Sequence, residues 1–116
     1  MFTRITLLKR KAGMTPEAFR DHYETHHRRI GERVLAGHAL RYVRRYVASI
    51  APDAVLPDFD VVMEITFADR AAHDHCLAML AEPAVAREIV EDEERLFDRD
   101  AILSFTVDEC ESRMQN

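Results

Sequence analysis

Hydrophobic and polar residues alternate in FDVVMEITF, residues 59–67, which predicts a half-buried β-strand there. Three other segments are rich in β-branched and aromatic residues and predict further strands: residues 2–9, 38–49 and 101–109. A helix is predicted between the first two strands, because Thr15 suits its N-cap, Pro16 its first position and Gly37 its end. Such a helix has about 21 residues and is roughly 30 Å long.

The second half of the chain predicts another helical region before the last strand. Asp69 is placed to cap a helix that runs to about Ala81, Pro83 interrupts it, and residues 84–97 continue as helix. The order β-α-β-β-α-β is typical of a ferredoxin-like α+β sandwich, in which helices cover one face of a four-stranded antiparallel sheet. Residues 1–111 are predicted to form a single domain and residues 112–116 a frayed tail.

The strands also predict what each face of the sheet carries. An apolar row in the third strand and one in the fourth are expected to face the helices: Phe59, Val61, Met63, Ile65 and Phe67, and Leu103, Phe105 and Val107. In the second strand the pattern leaves two rows open, the one with Tyr42 and Arg44 or the one with Arg41, Val43 and Arg45. The other face of the sheet carries both apolar and polar side chains. It is therefore either exposed to solvent or packed against a second copy of the chain, which would close a dimeric α/β barrel.

Composition narrows the class of protein. A chain of 116 residues with 47% hydrophobic and 32% charged residues is expected to fold as one domain with a core. The net charge of -5 argues against a nucleic-acid partner. Neither a membrane helix of roughly 18 apolar residues nor a secretory signal is evident, so no membrane partner and a cytoplasmic location are predicted. Cys76 and Cys110 lack a CxxC partner, and each is expected to be a lone buried thiol.

The segment DHYETHHRRI, residues 21–30, carries the candidate chemistry. On a wheel of about 100° per residue, Tyr23 lies near the centre of the buried stripe, and His26 and His27 flank it by about 50° on opposite sides. Periodicity does not choose between the two histidines. Each is either a boundary side chain or an acid–base group in an apolar pocket, since histidine titrates near pH 6.5. Tyr42 and Arg44, if inward, would add an aromatic wall and a cation.

A metal site is the alternative interpretation of this segment, because His22 and His26 are four residues apart and could bind a metal ion from one face of a helix. The HYETH sequence does not have the metalloprotease pattern, and no third ligand is evident, so no metal is predicted. The chain also lacks GxSxG, P-loop and dinucleotide fingerprints, and no cofactor is predicted.

The order of motifs resembles the EthD family of the dimeric α/β-barrel superfamily. Four segments carry the resemblance, the first being the specific one: LLKRKAGMTPEAFRDHYETHHRRI (7–30), LRYVRRYV (40–47), PDFDVVMEITF (57–67) and ERLFD (94–98). On that pattern the family's aromatic position falls on Tyr23 and its helix-end histidine on His27, with His26 as an extra neighbour. Arg28 and Arg29 stand where the family usually has small or proline residues.

The resemblance implies a ferredoxin-like homodimer formed through the sheet, with a pocket between sheet and helices for a small apolar or aromatic ligand. Relatives include cofactor-free isomerases, cyclases, decarboxylases and oxygenases, so we expect a cofactor-free enzyme for a small cyclic or aromatic carbonyl compound. The expected site has His27 as acid–base group, Tyr23 and Tyr42 as pocket walls, His26 in support, and Arg44 or Asp60 to polarise the substrate. Non-catalytic binding of a small apolar ligand is the main alternative, and haem or metal binding ranks below it.

Overall fold

The computed structural model describes residues 1–115 and contains the predicted order of elements. Four strands are present: β1 (Phe2–Leu8), β2 (Arg41–Tyr46), β3 (Val61–Phe67) and β4 (Leu103–Val107). The helices are α1 (Pro16–His22), α2 (Arg28–Leu35), α3 (Arg70–Leu80) and α4 (Pro83–Leu96), with a π-helical segment, Tyr23–His27, between α1 and α2 and a 3₁₀ turn at Arg99–Ala101. Within the part of the chain that the structure describes, no helix is long and apolar enough to cross a membrane.

The sheet has the strand order β2-β3-β1-β4, and each neighbouring pair is antiparallel. This is the ferredoxin-like arrangement, so the predicted fold class is confirmed.

The helix caps were also predicted correctly. Thr15 Oγ1 accepts from the Ala18 amide at 3.1 Å, and Asp69 Oδ1 accepts from the Ala72 amide at 2.8 Å. Gly37 follows α2 with φ +81°, a conformation that favours glycine.

The predicted long helix is interrupted by a wider turn. Residues Tyr23–His27 form a π-helical segment, in which each bond joins residues five apart rather than four. A wheel drawn with a period of 3.6 residues therefore does not apply inside this segment. Tyr23 and His27 are both buried, whereas His26 points outward with 49% of its side chain exposed. The folded backbone, with its π-helical turn, thus makes the choice that periodicity left open.

The apolar row of β4 does not face the helices, so that expectation was wrong. Leu103, Phe105 and Val107 are 56%, 41% and 39% exposed and lie on the opposite side of the sheet, which we call the open face. The strand register explains why the row faces outward. Thr6, on the helix side of β1, is paired with Ser104 of β4, and the two hydroxyl oxygens lie 2.8 Å apart. The alternating pleat then turns the neighbouring leucine outward.

The open choice in β2 is also decided by pairing. Tyr42 lies opposite Ile65, and Tyr46 lies opposite Val61, so their row faces the helices together with the buried row of β3. The core beneath the helices has two parts. The first core cluster contains Leu8, Phe19, Tyr23, Val61, Leu96 and Phe97; the second core cluster contains Leu35, Ile65, Phe67 and Cys76.

The C-terminal residues are exposed, and the two cysteines differ in burial. Residues 112–115 are exposed and without regular secondary structure, while residue 116 lies outside the described residues. The division into a domain at 1–111 and a tail stays a prediction. Cys76 is buried as expected, but Cys110 is exposed, because it follows β4 where the chain has left the sheet. The prediction of two buried thiols was therefore wrong for Cys110.

Candidate functional site

A cavity of about 240 Å³ lies between the sheet and the helices. Most of its lining is apolar, including Ile30, Met63 and Phe97. Its polar lining residues come from the sheet and from two helical regions: Arg4, Thr6, Tyr23, His27, Tyr42, Glu93 and Ser104. An apolar cavity with a few convergent polar groups is the usual form of a small-molecule site.

His27 is held in this cavity by a carboxylate on α4. Its Nδ1 lies 2.7 Å from Oδ2 of Asp92, whose side chain is 1% exposed. The ring packs edge-on against Tyr23 and Phe97, with centroid distances of 5.1 and 5.3 Å. With Asp92 ionised, Nδ1 must carry the hydrogen that is donated, which leaves Nε2 of a neutral ring as an acceptor.

The free nitrogen of His27 is accessible from the cavity. Among residues 1–115, Nε2 of His27 makes no hydrogen bond, and no side-chain nitrogen or oxygen is both buried and unpartnered. Burial lowers the pKa of His27 and outweighs the opposing effect of Asp92. The ring is therefore neutral at pH 7 and able to accept a proton.

Asp92 connects three histidines. Besides His27, it accepts from Nε2 of His22 at 2.9 Å, and Nε2 of His26 lies 3.9 Å away. Burial alone would raise the pKa of Asp92, but the hydrogen bonds from His22 and His27 more than offset it, so the pKa lies below its usual value. The carboxylate is therefore ionised at neutral pH.

Two tyrosine hydroxyls meet at the cavity wall. Tyr23 Oη lies 2.9 Å from Tyr42 Oη and 3.5 Å from Sδ of Met63. Burial raises the pKa of both tyrosines, so both remain neutral. If Tyr23 donates to Tyr42, the proton of Tyr42 is free to be donated to a ligand in the cavity.

Arg44 does not line the cavity. Its guanidinium binds Glu24 at 2.8 and 3.1 Å, and the same carboxylate accepts from the Tyr46 hydroxyl at 2.6 Å. Arg44 also stacks over the ring of Tyr42, 4.9 Å from its centroid. It stabilises the wall of the site from behind, and its charge is already paired.

Asp60 and His26 also lie apart from the cavity lining. Asp60 accepts from the guanidinium of Arg10 at 2.6 Å and from its backbone amide at 2.8 Å, just before β3 begins. His26 lies on the outer surface of the π-helical segment. The structure therefore brings together His27, Tyr23 and Tyr42 of the expected site, but not Arg44, Asp60 or His26.

Among residues 1–115, one group of side chains could approach a metal ion, namely His22, His26 and Asp92, whose donor atoms lie within 4.8 Å of one another. Asp92 supplies the third ligand that the sequence did not reveal. In this structure its oxygens are already used by hydrogen bonds from His22 and His27. The geometry is thus that of a hydrogen-bonded cluster.

Five polar residues of the site were missed in the sequence: Asp92, Arg4, Glu93, Thr6 and Ser104. Asp92 had a signal, because Ile89, Asp92 and Leu96 follow the spacing of an apolar helical stripe, and a carboxylate there must find buried partners. Arg4 had a weaker one, as a charged residue within an apolar strand. Glu93 stands in an acidic run and had no signal that separates it from its neighbours.

The family model for the EthD domain matches residues 11–100 of the chain. The chain belongs to the EthD family. No curated protein shows a significant match to this EthD chain.

Solved structures with the same fold cover nearly the whole EthD chain. An EthD family protein from Bacillus halodurans is 12% identical, with a TM-score of 0.67 over 95% of this chain and 100% of that one. HapK from Hahella chejuensis is 16% identical, with a TM-score of 0.60 over 100% and 99% of the two chains. A dimeric ferredoxin-like protein from an uncultured marine organism is 12% identical, with a TM-score of 0.65 over 99% and 100%. At these identities the similarity shows the fold alone.

Proposed function

We propose that this EthD protein is an enzyme that moves a proton on a small cyclic or aromatic carbonyl compound, with His27 as the acid–base group. The observation that carries the proposal is the orientation of His27. Its Nδ1 is bound to the buried Asp92 at 2.7 Å, and the ring lines the cavity with Nε2 unpaired. A buried carboxylate that fixes the tautomer of a histidine is a recurring way to prepare a general base.

The reaction would begin when Nε2 of His27 removes a proton from the carbon next to the carbonyl. The C–H bond breaks, an N–H bond forms, and the electron pair moves to the carbonyl oxygen as an enolate. Asp92 stabilises the imidazolium because it accepts from Nδ1. With the Tyr23 hydroxyl donating to Tyr42, the hydroxyl of Tyr42 can donate to the enolate oxygen.

Return of the proton at another position gives an isomer. Alternatively, the enolate carbon attacks a second carbonyl of the same molecule: a carbon–carbon bond forms, the C=O π bond breaks, and the imidazolium of His27 returns its proton to the new alkoxide to give a ring. Neither outcome requires a cofactor, since the base and the hydroxyl donor belong to the protein. The apolar lining excludes water and strengthens the electrostatic effect of both groups.

The direct test is hydrogen–deuterium exchange next to the carbonyl of cyclohexanone, 2-indanone and a δ-lactone, followed by proton NMR in deuterated buffer. The wild type should accelerate exchange of at least one of these compounds. His27→Gln should lower that acceleration by about 10²–10⁴-fold, the usual contribution of a general base. His75→Gln is the matched control, because His75 is an exposed histidine of α3.

Exchange in His27→Gln at the wild-type rate would contradict the assignment of the base. A compound that binds the wild type but is recovered without exchange would instead support non-catalytic ligand binding in the same cavity.

We also propose that the protein forms a homodimer through the open face of the sheet. Leu103, Phe105 and Val107 form an exposed apolar row there, and one protein of the same fold is described as dimeric. Phe105→Glu should convert a dimer to a monomer in sedimentation-velocity experiments. Val55→Glu, in an exposed loop before β3, should leave the dimer intact. A monomeric wild type at micromolar concentration would refute the proposal.

A further inference from the structure

The cavity contains one cationic side chain, Arg4, among its lining residues. Arg4 is central in the sheet, since it lies on β1 between Ile65 of β3 and Thr106 of β4. Its row faces the helices, since its partner Ile65 belongs to the buried row of β3 and both Arg4 and Thr6 line the cavity. A permanently charged group therefore borders a largely apolar cavity.

The guanidinium of Arg4 is held by an imidazole nitrogen. Its Nη1 donates to Nε2 of His73 at 3.3 Å, while Nδ1 of His73 lies 2.8 Å from Oδ1 of Asp74. The hydrogen on His73 must then be on Nδ1, so Nε2 is the acceptor for Arg4. His73 is buried against Phe2 and Phe67, with centroid distances of 4.8 and 5.2 Å, which fixes its orientation.

The charge of Arg4 is not balanced by a carboxylate. Among residues 1–115, no Asp or Glu oxygen lies within 4.0 Å of its nitrogens, whereas Arg44 and Arg10 are paired with Glu24 and Asp60. Glu93 lines the same cavity, but its carboxylate lies 3.6 Å from Nε of Arg99. Arg4 is partly buried, and a partly buried charge that lines an apolar cavity without a carboxylate partner favours a ligand that brings an anion.

His27 and Arg4, which both line the cavity, are held by different core clusters. His27 contacts Tyr23 and Phe97 of the first core cluster, whereas Arg4 is bound by His73, which packs on Phe67 of the second core cluster. A ligand anchored at Arg4 would thus extend toward His27. The volume of about 240 Å³ is below the roughly 300 Å³ at which pockets for drug-sized ligands begin, which suits a single-ring compound.

We propose that the ligand of this cavity is a single-ring aromatic or cyclic compound that carries a carboxylate, and that Arg4 binds that carboxylate. The inference rests on the proposed function only in placing the reacting carbon near His27. The guanidinium can offer two parallel N–H donors to a carboxylate, which a neutral amide cannot match.

The test is calorimetric binding of 4-hydroxybenzoate and of its neutral counterpart, 4-hydroxybenzamide, to the wild-type protein. We expect the acid to bind at least tenfold more tightly than the amide. Arg4→Gln should abolish this preference, and Arg4→Lys should keep part of it because it keeps the charge. Arg29→Gln is the matched control, since it removes one positive charge from the exposed side of α2.

Equal affinity for the acid and the amide, or no binding of the acid at 10 mM, would overturn the proposal on the wild type alone. A preference that survives in folded Arg4→Gln would overturn it as well. Because these measurements require no turnover, Arg4-dependent binding without proton exchange would reject the proposed enzyme activity and leave the anion site standing.

Discussion

Replacing Asp92 with asparagine tests the group that connects the three histidines to α4. The change keeps the size of the side chain but removes its charge. In the wild type, the buried carboxylate accepts from His22 at 2.9 Å and from His27 at 2.7 Å. Asparagine has one oxygen and one amide nitrogen in those places, so one of the two histidines would face a donor instead of an acceptor.

The size of the effect follows from these contacts. Hydrogen bonds to a charged group contribute about 1.5–3 kcal/mol each, and the variant loses the equivalent of one of them. The ion pair with Arg95, at 3.7 Å, adds little because that arginine is largely exposed. We therefore expect the free energy of unfolding to fall by about 1.5–3 kcal/mol.

The same substitution should change the tautomer of His27. If the amide of the asparagine donates to Nδ1, the hydrogen of the ring moves to Nε2, and the base that faces the cavity is lost. Proton exchange of a substrate would then fall by about 10²–10⁴-fold even where the protein is fully folded.

Two measurements check this prediction. Urea denaturation at pH 7.5 gives the change in stability, with an unchanged dependence on urea if the variant unfolds in the same way. Nitrogen-15 NMR of the histidine rings gives the tautomer. Asp58→Asn is the control, because the Asp58 side chain is 91% exposed and its loss should leave the denaturation midpoint unchanged. A variant at Asp92 that is as stable as this control and keeps the wild-type tautomer would refute the role assigned to the carboxylate.

Three further predictions concern the cavity, the thiols and acid stability. Gly31→Ala should weaken ligand binding, because its new Cβ would lie 2.8 Å from the ring of Tyr42, which lines the cavity. The variant should also be less stable, since overpacking costs about 1–3 kcal/mol and the gain in helix propensity is only about 1 kcal/mol. Calorimetry measures the binding and urea denaturation the stability, and unchanged binding would contradict the contact. Cys110 should react at once with a thiol reagent while Cys76 reacts only in urea, and two fast thiols in the native protein would show that α3 opens readily. Burial lowers the pKa of His27 below its unfolded value of about 6.5, so the unfolded state binds more protons and the free energy of unfolding should fall as the pH drops from 7.5 to 5.5. His27→Gln should show a smaller decrease over this range, and a decrease identical to that of the wild type would refute the prediction.

The sequence by itself determined the order of elements and the class of fold. Alternation in β3, the caps at Thr15 and Asp69, and the stop at Gly37 are local features, and each depends on residues close together in the chain. The motif of residues 7–30 also pointed to the EthD family and, through it, to His27. Local patterns are informative wherever the physical cause is itself local.

Tertiary structure decided the chemistry of the site. The π-helical turn buried His27 and exposed His26, which no wheel with a fixed period could show. Pairing between strands turned Phe105 outward and Tyr42 inward, because a shift of one residue in register exchanges the faces of a strand. The partners of the charged groups also depend on the packed fold. Glu24 forms the ion pair with Arg44, and Asp92, 65 residues from His27 in the chain, forms the hydrogen bond with its ring. Ion pairs and hydrogen bonds between distant segments depend on the packed fold, and the sequence names their members without pairing them.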